Sequence, residues 1–82
     1  MVSVELYSKT GCHLCDIMKD SLEQVRKQIP FDFREIIIRE GDRDYDRWKE
    51  RIPVLFMNNE FAFQYHLPKD QFVNKLKSLS NH

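Results

Sequence analysis

The sequence predicts an α/β fold: a mixed β-sheet with helices packed on it, in the order β-α-β-α-β-β-α. Three features predict it. Hydrophobic spacing changes from two to alternating three and four near residue 12, as when a strand runs into a helix. Two strand-like runs flank Asn58-Asn59, a pair that tolerates positive φ and so signals a hairpin. Helical spacing returns after Pro68 and continues nearly to the end of the chain.

The first strand is Val2 to Ser8, where Val2, Val4 and Leu6 alternate with other residues. Lys9-Thr10-Gly11 then turns the chain. From Cys12 onward, Cys15, Met18, Leu22, Val25 and Ile29 recur on one helical face, while Asp16, Lys19, Asp20, Glu23 and Arg26 fall elsewhere. Pro30 ends this helix, because the residue before a proline is pushed out of the helical region. Phe31 to Ile38 is β-branched and aromatic and forms the second strand. Its Ile36-Ile37-Ile38 run predicts burial on both faces, as in a parallel pair. The connection through the first helix should be right-handed.

The segment after Ile38 is highly charged and should carry a short helix near Tyr45 to Glu50. Arg39, Arg43, Arg47 and Arg51 recur every fourth residue, with Asp42, Asp44, Asp46 and Glu50 between them, which describes a solvated charged face. Tyr45 and Trp48 should pack this helix on the sheet. Along the last strand Phe61, Phe63 and Tyr65 alternate, and two of the three should be core. Pro68 suits the first turn of the closing helix, whose apolar stripe is Phe72, Val73, Leu76 and Leu79.

Size and charge narrow the function. The 82 residues suffice for one domain, residues 1–82, with a modest core and a small margin of stability. Thirteen basic and thirteen acidic residues cancel, which argues against nucleic acid or a membrane surface as partner. No apolar run reaches the roughly 18 residues of a membrane span, and no basic segment leads into an apolar block at the N-terminus. Two cysteines are too few for the disulfide framework of a small secreted domain. The expected setting is therefore a reducing compartment, the cytoplasm or, had a presequence been removed, the mitochondrion. The expected state is a monomer.

Both cysteines lie in Cys12-His13-Leu14-Cys15, where the first helix begins. The N–H groups of a first helical turn lack intrahelical partners, and the helix dipole is positive there. Both effects stabilise a thiolate at Cys12 and move its pKa below the ordinary thiol value. A protonated His13 next to it would add to that effect and make the pair a stronger oxidant. Cys15 shares the apolar stripe and should face the core. An exposed thiolate that attacks and a shielded thiol that resolves are the parts of a thiol–disulfide exchanger. Two other readings stand beside this one: a pair of inert small hydrophobes, and a structural zinc site, for which only His13, His66 and His82 could complete four ligands. His66 has no visible partner and is assigned no role.

"YSKTGCHLC" after the first strand, "RIPVLF" (Arg51 to Phe56) before the third, and the hairpin and helix that follow resemble the glutaredoxins, over nearly the whole chain. The resemblance implies a thioredoxin fold of glutaredoxin size, a four-stranded mixed sheet with helices on both faces. It implies a thiol–disulfide oxidoreductase with Cys12 as nucleophile, Cys15 as resolving thiol and no permanently bound cofactor. Glutathione would be a co-substrate, the partners a disulfide-containing protein or a glutathione mixed disulfide, and a thiol reductase could regenerate the pair. Pro53 would be a cis-proline beside the cysteines, with the backbone of Ile52 free to pair with substrate. Lys9 would help hold a glutathione carboxylate, and His13, Leu14 and Asp70 would complete the substrate or glutathione site.

The chain departs from the family pattern at three places. His13-Leu14 replaces Pro-Tyr between the thiols, and Arg51-Ile52-Pro53 replaces Thr-Val-Pro. The Gly-Gly turn after the last strand is absent; the segment reads "FQYHLPKDQF" and contains no glycine that would let a ligand approach the backbone. The pattern is most similar to a divergent group of small glutaredoxin-like proteins without that turn. The resemblance also admits two non-catalytic alternatives. One is an iron–sulfur-binding module that uses the nucleophilic cysteine and glutathione. The other is a thioredoxin-fold interaction scaffold with idle thiols.

Overall fold

A computed structural model describes residues 1–80. Its elements run β1 (Ser3–Ser8), α1 (His13–Arg26), β2 (Asp32–Ile37), α2 (Tyr45–Trp48), β3 (Val54–Met57), β4 (Glu60–Gln64) and α3 (Lys69–Ser80). The strands form one sheet in the order β2-β1-β3-β4. β1 pairs with β2 in parallel and with β3 antiparallel, and β4 returns antiparallel along β3. The sheet is therefore mixed, and β1 lies inside it.

Alternation along β1 sends Val4 and Leu6 to one face and Glu5 and Tyr7 to the other. The Val4 face receives Met18, Leu22 and Val25 from α1 and Phe72 and Leu76 from α3, and this is the main core. The Tyr7 face carries a second cluster of Cys15, Ile38, Ile52 and Val54, against which Tyr45 and Trp48 of α2 pack. Helices thus lie on both faces, as the resemblance implies. Each fully buried Leu or Phe contributes about 1.5–3 kcal/mol by leaving water.

Four local expectations are corrected. α1 stops at Arg26, not at Ile29. The Gln28 and Ile29 amides both donate to the Val25 carbonyl, a tightened last turn. Ile29 still packs on the core from that turn. The chain must reverse there, so that the Asp32 amide can reach the Val2 carbonyl.

β2 pairs in parallel as expected, but it is an edge strand, so it is not buried on both faces. Ile37 is 42% exposed, and only Ile38, just past the strand, is fully buried. α2 holds four residues and stops at Trp48, short of the expected Glu50, while the row Arg39, Arg43, Arg47 and Arg51 is a solvated face as expected. All four are exposed, and Arg47 lies over the Trp48 ring at 5.2 Å.

The aromatic alternation in β4 also fails. Leu55 faces Phe63 while Phe56 faces Phe61, so a bulge at Leu55/Phe56 leaves Ala62 as an extra residue. Ala62 and Phe63 both reach the main core, whereas Phe61 turns to the other face and is 55% exposed. Of the three aromatics only Phe63 joins the core. The hairpin itself forms as expected, with Asn58 and Asn59 both at positive φ, 50° and 67°.

Candidate functional site

β1 ends at buried Ser8, and the turn through Gly11 delivers Cys12 to the start of α1. Gly11 has φ 75°, a left-handed conformation for which glycine carries no Cβ penalty. Ser8 Oγ donates to Glu35 Oε2 at 2.8 Å, and Lys19 Nζ stands 3.4 Å from the same carboxylate. These contacts join the end of β1, the edge strand and α1 directly behind the turn.

Cys12 is the N-cap of α1, with φ −93° and ψ 108°. Its Sγ accepts the Cys15 amide at 3.2 Å, while its carbonyl accepts the Asp16 amide at 3.2 Å. One unpaired amide of the first turn is thus aimed at the sulfur, the position that ordinarily takes a Ser or Asp oxygen. The two cysteines form a disulfide, with Cα atoms 5.2 Å apart. Cys15 is 2% exposed and belongs to the second core cluster, whereas Cys12 is half-buried at its margin. The division into an accessible sulfur and a shielded one is therefore present.

Facing the thiols is the loop through Ile52 and Pro53, which are both buried and joined by a cis peptide bond. Ile52 and Cys12 belong to one cluster. The Ile52 amide is not free, however. It donates to the Trp48 carbonyl at 3.2 Å, because the chain leaving α2 closes on itself in a tight turn. Of the Ile52 backbone expected to pair with substrate, the amide is thus engaged within the chain.

His13 and Leu14 stand exposed in the first turn of α1, with Leu14 37% accessible. Ile17, one turn later, is 49% exposed, so α1 shows water an apolar strip beside the sulfur. Lys9 Nζ donates to the Lys49 carbonyl at 3.2 Å, which ties the thiol turn to the end of α2. Lys9 also helps line a cavity of about 220 Å³ with Thr10, Ile38, Arg39, Glu40 and Tyr45. Asp70 lies exposed in the first turn of α3.

Nothing in the sequence singles out Gln64, and Tyr65 there continues the β4 alternation. Both instead bond to the loop before Pro53. Gln64 Nε2 donates to the Arg51 carbonyl at 2.9 Å, and Tyr65 Oη donates to the Glu50 carbonyl at 3.0 Å. No signal in the sequence marks them, because the contact spans 13 to 15 residues. Among the described residues, no group of three or more His, Cys, Asp or Glu side chains could hold a metal ion. His82, one of the histidines weighed for zinc, lies outside the described residues. Nor is any described helix long and apolar enough to cross a membrane.

Comparison with known proteins adds three findings. A family model described as Glutaredoxin-like domain (DUF836) matches residues 3–77. A Nitrosomonas europaea protein solved by solution NMR is 29% identical, with a TM-score of 0.74 over 90% of this chain and 89% of that one. Two further structures share the fold at low identity. A thioredoxin-like protein from Bacillus cereus is 12% identical, with a TM-score of 0.65 over 95% and 87% of the two chains. Glutaredoxin 1 from Francisella tularensis is 18% identical, with a TM-score of 0.60 over all of both chains.

Proposed function

The chain belongs to the glutaredoxin-like family DUF836, and from its geometry we propose that it is a thiol–disulfide oxidoreductase acting through Cys12 and Cys15. The observation that carries this reading is the Cys12 sulfur. It is half-buried rather than sealed, it caps a helix, it accepts the Cys15 amide, and it lies within disulfide reach of a buried partner.

In the reduced protein, the first-turn amide and the helix dipole favour Cys12 as thiolate. The thiolate attacks one sulfur of a substrate disulfide; that S–S bond breaks and the other substrate sulfur leaves as a thiolate, which takes up a proton. Cys15 then gives up its proton and attacks Cys12 Sγ. The Cys12–Cys15 disulfide forms and the second substrate thiol is released. Two electrons pass from the protein dithiol to the substrate disulfide. Glutathione, or a dithiol-dependent reductase, supplies the two electrons that restore the pair. Shielding of Cys15 supports its role as the second attacker, since its sulfur is reached from Cys12 and not from solvent.

The test is reduction of a disulfide substrate by the wild-type chain, Cys12→Ser and Cys15→Ser. Cys12→Ser should fall to background, a loss of at least about 10²-fold, because the attacking sulfur is gone. Cys15→Ser should accumulate a mixed disulfide on Cys12, visible as a mass increase equal to the bound substrate thiol. Equal activity in wild type and Cys12→Ser would leave a scaffold with idle thiols.

A further inference from the structure

Tyr65 stands directly after β4 with φ 67°, a left-handed conformation that a bulky side chain rarely adopts. Such an outlier persists only where its surroundings hold it, and it is most often found at functional sites. Three hydrogen bonds hold this one in place. The Tyr65 amide donates to the Pro53 carbonyl at 2.8 Å, and Tyr65 Oη donates to the Glu50 carbonyl at 3.0 Å. Its neighbour Gln64 donates through Nε2 to the Arg51 carbonyl at 2.9 Å. The carbonyls on both sides of Ile52 are therefore gripped from β4, while the Ile52 amide is gripped from Trp48. Ile52 of that segment belongs to the buried cluster on which Cys12 packs.

We propose that Tyr65 is a positioning residue for thiol exchange: with Gln64 it staples the Glu50–Pro53 loop to the end of β4 and so holds the wall along which a protein disulfide lies when Cys12 attacks it. The proposal rests on the oxidoreductase reading for its substrate and on the hydrogen bonds for its geometry. The left-handed backbone is what lets one residue bond the loop twice, through its amide and through its ring hydroxyl. The exposed apolar strip of Leu14 and Ile17 is carried by α1 and does not depend on the staple.

The experiment compares the full chain with Tyr65→Phe, which keeps the ring and removes only Oη, and with Gln64→Ala. Three quantities are measured: kcat and KM for insulin disulfides with dithiothreitol as reductant, the rate at which iodoacetamide alkylates reduced Cys12, and amide exchange at Ile52. A small alkylating reagent needs the sulfur but not the wall, whereas a protein disulfide needs both. Tyr65→Phe should lower kcat/KM for insulin about fivefold, carried by KM, the scale of one lost hydrogen bond. Alkylation should stay within about twofold, since the groups that activate the thiol are untouched. Exchange at Ile52 should quicken about fivefold or more as its segment loosens. Gln64→Ala should act in the same direction.

Unchanged insulin kinetics together with unchanged Ile52 exchange would overturn the proposal. So would a fall in alkylation matching the fall in insulin reduction, since Tyr65 would then act on the thiol itself. Should wild type and Cys12→Ser reduce insulin equally, the oxidoreductase reading is what fails. Ile52 exchange then decides the staple alone, faster exchange in Tyr65→Phe supporting it and unchanged exchange refuting it.

Discussion

In the proposed exchange, Cys12 would satisfy two requirements with one atom. A helix start needs an acceptor for an orphaned amide, and a nucleophilic sulfur needs donors that stabilise its negative charge. The Cys15 amide at 3.2 Å meets both. Four residues earlier on the other side of the turn, Ser8 is the only buried polar residue among those described, at 2% exposure. Its hydroxyl donates to the half-buried Glu35 carboxylate. Ser8→Ala would leave that carboxylate with Lys19 alone, and should cost about 1–2 kcal/mol of stability, read as a lower urea midpoint at unchanged slope. The two thiols were legible as a pair from their spacing, because one helical turn is a local relation. The partners of Lys9 and Tyr65 were not, because each bonds a carbonyl of a segment distant in the chain.

Among the elements, the start of α1 and the β3–β4 turn follow local rules closely. The hairpin asparagines nevertheless differ from each other. The Asn58 amide donates to the Ser3 carbonyl at 2.8 Å, and its Oδ1 accepts the Ser3 amide at 2.9 Å, so its side chain locks the turn to β1. Asn59 contributes its conformation, φ 67°. Asn59→Gly should therefore be neutral or slightly stabilising, because glycine enters the left-handed region freely. Asn58→Gly should cost about 1 kcal/mol through the lost side-chain bond. Thermal unfolding of the two variants separates these expectations, and equal midpoints would contradict the division of roles. β2 went the other way. Its isoleucine run reads as a strand covered on both sides, but composition does not say which strand ends a sheet. β2 is an edge strand because β3 turns back along β1 on the opposite side, and Ile37 is left half in water.

For the whole molecule the main core depends on few side chains. A chain of this length has roughly 4–12 kcal/mol of stability in total. Phe72 is fully buried and meets Phe31 edge-on at 5.6 Å and Phe63 at 6.3 Å, so it joins α3, the start of β2 and β4. Phe72→Ala should cost about 3–5 kcal/mol, enough to lower the melting temperature by well over ten degrees. Circular dichroism during heating would show it, and a shift of a few degrees would mean that the core redistributes around the cavity.

The sequence by itself determined the order of elements, the hairpin position and the placement of a cysteine pair at a helix start. All of these follow from spacing between near neighbours and from the backbone preferences of Gly, Pro and Asn. Tertiary structure alone decided which strand lies at the edge, where the β3–β4 bulge turns Phe61 outward, and that Gln64 and Tyr65 grip the loop facing Cys12. Those outcomes depend on which distant backbone groups come within hydrogen-bonding distance once two faces of one sheet are covered, and no local pattern encodes that distance.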